Sequence, residues 1–148
     1  MYCEQRIAPP AASAENAWIT NTLMESTRDT ADIAARKAYA AGIVTGTGDG
    51  TTFSPDASIT REQMAAMLYR AIQYIQKQTG RSVLTEAGGL DSFTDAGQVS
   101  GWAADSLAAL TASGILQGTS SATLSPKDTT TVEQAILLTL RAYQEFSK

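Results

Sequence analysis

Ala40-Ala41-Gly42-Ile43-Val44-Thr45-Gly46-Thr47 returns 72 positions later as Ala112-Ser113-Gly114-Ile115-Leu116-Gln117-Gly118-Thr119. Both glycines, an isoleucine and a threonine coincide. After a one-residue gap the offset becomes 71, and Ser54-Pro55 falls on Ser125-Pro126, Thr60 on Thr131, Glu62-Gln63 on Glu133-Gln134, and Arg70-Ala71 on Arg141-Ala142. So many matches in one order mark an internal repeat, and a repeat decides the architecture before any single residue does.

Each copy has a mechanical reading. A short alanine-rich helix, about residues 30–41 in one copy and about 102–113 in the other, stops at Gly42 or Gly114, because glycine most cheaply takes the left-handed conformation that ends a helix. An apolar pair follows, then a second glycine and a loop that ends in proline. A longer helix then begins at Thr60 or Thr131. Both long helices carry a capping box, Thr60 with Gln63 and Thr131 with Gln134. Met64, Met67, Leu68, Ala71, Ile72 and Ile75 recur at helical spacing and predict the buried face of the first, which spans about 60–78. The second spans about 131–146. Ser13-Ala14-Glu15-Asn16 after Pro9-Pro10 predicts a third long helix over about 13–27. The connector from Thr79, rich in Gly, Ser and Asp, reads as an exposed loop.

The composition sets limits. At 148 residues and 43% hydrophobic, the chain is large enough to bury a core without staples. Its formal net charge of −4, with Lys and Arg scattered, argues against nucleic acid, which needs clustered cations. No apolar run approaches the length of a membrane span. Histidine is absent, which removes histidine bases and histidine metal ligands; the lone Cys3 forms no intrachain disulfide and has no base beside it. Gly46, Gly48 and Gly50 lack the strand and the Gly-Lys-Ser/Thr of a phosphate loop. A calcium-loop register puts Thr45 and Thr47 where carboxylates are required. No catalytic constellation, metal or cofactor is expected, and no signal peptide is read at the N-terminus.

Phe93-Thr94-Asp95, Trp102-Ala103, Gly114-Ile115-Leu116-Gln117-Gly118, Pro126 and Thr131-Val132-Glu133-Gln134 resemble the S-layer homology (SLH) module. The first copy carries the same pattern in Gly42-Ile43-Val44-Thr45-Gly46, Asp49-Gly50, Phe53, Pro55-Asp56 and Ile59-Thr60-Arg61-Glu62. The resemblance implies an all-α fold, a pseudo-threefold bundle of helix–loop–helix repeats with three long central helices and shorter peripheral ones. It divides the chain into a partial repeat (1–27), a repeat (28–78), a connector (79–92) and a repeat (93–148), all in one compact domain. It also implies a bacterial, extracellular, non-catalytic module that holds proteins on the cell wall or S-layer by binding a pyruvylated, hence anionic, secondary wall polysaccharide.

Arg61 is the expected anion contact. A cation in the first helical turn opposes the macrodipole, and the arrangement becomes favourable when an anion is held there by free N–H groups and the guanidinium together. Its competing reading is a solvated surface arginine. Val132 and Ala14 stand at the corresponding positions of the other copies, so the arginine survives once. Asp95, Trp102 and a loop glycine, Gly118 or Gly46, complete the expected ligand set. Asp95 either caps the segment entering the short helix or accepts sugar hydroxyls. Trp102 either stacks on a sugar or anchors its helix in the core, and burial is the commoner fate of tryptophan. The rival function is protein–protein assembly of a surface layer, with self or other subunits as partners and the glycan pockets decayed. A third reading makes the chain the tether of a larger surface enzyme.

Overall fold

A computed structural model of the chain describes residues 5–6, 27–46, 52–54, 56–85 and 88–148. Among these the protein is predominantly helical. It divides into two compact units, Met1–Ala57 and Ser58–Lys148, and the boundary falls inside the repeat expected over 28–78.

In the first unit, the two-residue strands β1 (Gln5–Arg6) and β2 (Thr52–Phe53) pair antiparallel, Gln5 opposite Phe53. This small pairing was not anticipated. Helix α1 (Thr27–Ala40) ends as the glycine predicts: Gly42 has φ +73°, and the Ile43 and Val44 amides both donate to the Ala38 carbonyl. The long helix expected over about 13–27 lies, but for Thr27, outside the described residues.

The second unit holds helices α2 (Arg61–Thr79), α3 (Ala104–Ala112) and α4 (Val132–Ser147), with short 3₁₀ turns at Ala96–Gln98 and Gly101–Ala103. The end of α3 repeats that of α1 bond for bond. Gly114 has φ +72°, and the Ile115 and Leu116 amides both donate to Leu110. The core gathers Ala65, Leu68 and Ile72 of α2, Leu107 and Leu110 of α3, Ile115, Leu116 and Leu124 of the following loop, and Leu138 and Ala142 of α4.

Two expectations need correction. The buried face of α2 is met in part: Leu68 and Ile72 are buried as predicted, but Ala65 and Ala66 join them, while Met64, Met67 and Ala71 are half-buried and Ile75 is exposed. Alanine weighs little in a hydrophobic pattern but lets a neighbouring helix approach closely, and here the alanine-rich α3 packs against α2. The connector is also not simply exposed. After Gly80 (φ +70°) the chain folds back, the Gln76 Oε1 atom accepts from the Val83 and Leu84 amides at 2.8 and 2.9 Å, and Val83, Leu84 and Leu90 pack against the core.

Just before α2 and α4, the chain segments meet: Thr60 bridges Thr129 antiparallel, and the Thr130 amide donates to the Ile59 carbonyl at 2.8 Å. That pairing brings the start of α2 against the loop of the second copy. Among the described residues, no helix is long and apolar enough to cross a membrane.

Candidate functional site

The start of α2 carries a capping box in which Thr60 Oγ1 accepts from the Gln63 amide (3.3 Å) and Gln63 Oε1 accepts from the Thr60 amide (2.8 Å). Helix α4 repeats it with Thr131 and Gln134, at 3.3 and 3.2 Å. A helix start leaves four amides without intrahelical partners. In α2 the amides of the first turn are taken: Arg61 donates to the Asp128 carbonyl (2.9 Å), Glu62 to Pro126 (3.0 Å), Gln63 to its cap and Met64 to Thr60. The free N–H groups on which the anion argument drew are therefore occupied, those of Arg61 and Glu62 by the docked loop and those of Gln63 and Met64 by the cap residue Thr60. The physical reason is distance in sequence, since the loop acceptors lie more than 60 residues away.

Arg61 is neither a solvated surface side chain nor an open fork. It is 7% exposed, and its Nε and Nη2 donate to the Leu124 and Gln117 carbonyls at 2.9 and 3.0 Å. Burial pushes its pKa down, and the charge of Asp128 pulls it back up; an arginine so placed stays cationic at neutral pH. No hydrogen bond from its Nη1 is seen among the described residues.

Asp95 grips the same loop from the other side. Its carboxylate accepts from the Leu124 amide (2.9 Å) and the Ser125 amide (2.7 Å), and it makes no cap bond to the turn that follows it. The bond from Leu124 outweighs the opposing push of burial and, with that from Ser125, holds the Asp95 pKa below the usual aspartate value. Leu124 is thus fixed at both ends of its backbone, N–H by Asp95 and C=O by Arg61. Ser125 beside it takes the left-handed φ of +52°, which costs an L-residue about 1 kcal/mol. The two grips and a 2.9 Å contact between the Thr119 and Ser125 hydroxyls hold it there.

Gly118 belongs to this loop for packing reasons. A Cβ there would collide with the Ser120 carbonyl and come within 2.5 Å of Thr123 O and 3.0 Å of the Phe93 ring. Gly46 lies in the first unit with φ +79°. Trp102 corrects the expectation of core burial: it is 57% exposed, because the neighbouring Ala103 takes the sealed position against α2 and turns the indole outward.

Sequence reasoning missed the role of Glu62, which it named only as a repeat position matched by Glu133. Glu62 is buried and accepts from the Ser100 amide (3.0 Å), the Ser100 hydroxyl (2.9 Å) and Lys127 Nζ (2.6 Å). Burial pushes its carboxyl up, but the bonds from Lys127 and Ser100 prevail and set its pKa below the usual glutamate value. The repeat gave a misleading hint, since its counterpart Glu133 is exposed.

The structure brings Arg61, Asp95 and Gly118 onto one loop, with exposed Trp102 on the adjoining turn. This constellation offers a cation, clamped backbone and an aromatic face, and among the described residues no acidic or cysteine cluster suits a metal.

Residues 29–65 and 92–136 match the S-layer homology domain, and the chain belongs to that family, whose modules attach proteins to the cell surface without being catalytic themselves. Similar proteins include an endoglucanase of Bacillus sp. (strain KSM-635), 35% identical over 66% of this chain and 10% of the relative. The exoglucanase XynX of Acetivibrio thermocellus is 33% identical over 69% of this chain and 9% of its own length. The amylopullulanase of Thermoanaerobacterium thermosulfurigenes is 32% identical over 69% and 5%. The chain thus spans a tenth or less of these relatives. No solved structure matches it significantly.

Proposed function

We propose that the chain attaches its protein to the bacterial cell wall by binding a pyruvylated, anionic secondary polysaccharide at the loop held by Arg61 and Asp95. The observation that carries this reading is Arg61 itself, a cation of which Nε and Nη2 build the loop while Nη1 is left to meet an acid. Trp102 supplies an apolar face for a sugar ring, and Gly118 lets the loop that carries the site close on itself and against Phe93. Gly46 is the corresponding loop glycine of the first copy. The pseudo-threefold bundle implied by the family forms part of the same proposal, supported by the identical hydrogen bonding at the ends of α1 and α3. The titration that tests it compares the native polysaccharide with the same polymer after mild-acid removal of pyruvate. Saturable heat with the first and little with the second is expected; equal heats would remove the acid from recognition.

A second reading, assembly through protein contacts, is favoured by α4, where Val132, Ile136, Leu137, Leu140 and Tyr143 are exposed. Contiguous apolar surface of this kind is commonly covered. Concentration-dependent sedimentation without wall binding would favour this reading over the first.

A further inference from the structure

We propose that Lys127 is the second cation of the glycan site, the one that meets the acidic sugar from the solvent side; this rests on the glycan reading above. Arg61 has committed two nitrogens to loop carbonyls and is nearly sealed, so it presents no bidentate fork to a carboxylate. Lys127 is differently placed. Its side chain is half exposed, and its backbone is pinned on both sides, because the flanking Pro126 and Asp128 carbonyls accept from the Glu62 and Arg61 amides. Its ammonium is fixed from beneath by Glu62 Oε1 at 2.6 Å and Ser100 Oγ at 2.5 Å. An ammonium has three donors, so one N–H remains for a ligand. The rotamer entropy that a free lysine loses on binding is here largely lost already on folding. Ser100 also leads directly into the turn that carries exposed Trp102, so the cation is hydrogen-bonded to the segment that presents the aromatic face.

The repeat shows that this cation is no framework requirement. Lys127 follows Pro126 as Asp56 follows Pro55, a reversal of charge at one repeat position. The second copy lacks the helix-start arginine, having Val132, yet contributes this lysine to the site at Arg61.

The test uses the full chain and walls from a Gram-positive bacterium with a pyruvylated secondary polysaccharide, either intact or stripped with hydrofluoric acid. Wild type should co-sediment with intact walls and not with stripped ones. Lys127→Met should weaken binding about tenfold, the worth of one charge-assisted hydrogen bond, while Lys127→Arg stays close to wild type. If Lys127→Met melts earlier than wild type, Lys127→Gln replaces it under the same criterion. Undiminished binding by the neutral variant overturns the role of Lys127 alone. Failure of wild type to distinguish intact from stripped walls overturns the glycan reading, and this inference with it.

Discussion

At the residue scale, the peptide of Leu124 explains more of the site than any side chain the sequence pattern singles out. Asp95 takes its N–H and Arg61 its C=O, so an aspartate and an arginine at distant positions cooperate without touching each other. Arg61→Met leaves two carbonyls without their donor, and we expect a loss of about 2 kcal/mol in urea unfolding. Amide exchange should quicken over residues 117–125, a change that loss of a ligand contact alone would not cause. The carboxylates supply a pH dependence. Asp95 and Glu62 both have pKa values depressed by folding, so near pH 4 the unfolded chain binds more protons and stability rises with pH. Their contribution is complete above the ordinary carboxylate pKa values and fades as pH falls through the lower folded ones. Thermal melts from pH 6 to pH 2 should show the decline, and Glu62→Gln should reduce it.

At the element scale, helix ends were legible in the sequence because capping is local chemistry. Thr60 with Gln63 and Thr131 with Gln134 read as boxes and form as boxes, and Thr60→Ala or Thr131→Ala should each cost about 1 kcal/mol. Gly114 and Gly118 provide a sharper contrast. Nothing lies near a Cβ at Gly114, so Gly114→Ala should cost only the strain of φ +72°, about 1 kcal/mol. Gly118→Ala meets two backbone carbonyls and should destabilise more, in a comparison made by the same urea titration. What the sequence concealed was non-local: the acceptors that fill the Arg61 and Glu62 amides lie in a loop more than 60 residues away, and helical periodicity carries no trace of them. Trp102 was misjudged for a related reason. Only the approach of α2 decides that Ala103, and not its larger neighbour, faces inward.

At the scale of the whole molecule, repetition identified the family, while the copies differ in what surrounds them. The start of the first repeat's long helix docks on the loop of the second copy and buries Glu62, whereas its counterpart Glu133 at the start of α4 is exposed. The second unit has one apolar core shared by three helices, so Leu110→Ala should cost about 3 kcal/mol and loosen the site together with the core. Attachment to a wall glycan makes a claim about where on this unit the ligand sits. Amide and side-chain chemical-shift mapping during titration with the pyruvylated polysaccharide tests it most directly. Binding at the loop held by Arg61 and Asp95 should shift only the Trp102 indole, Arg61 and residues 117–128. Shifts along the outer face of α4, or none at saturating polysaccharide, would contradict it.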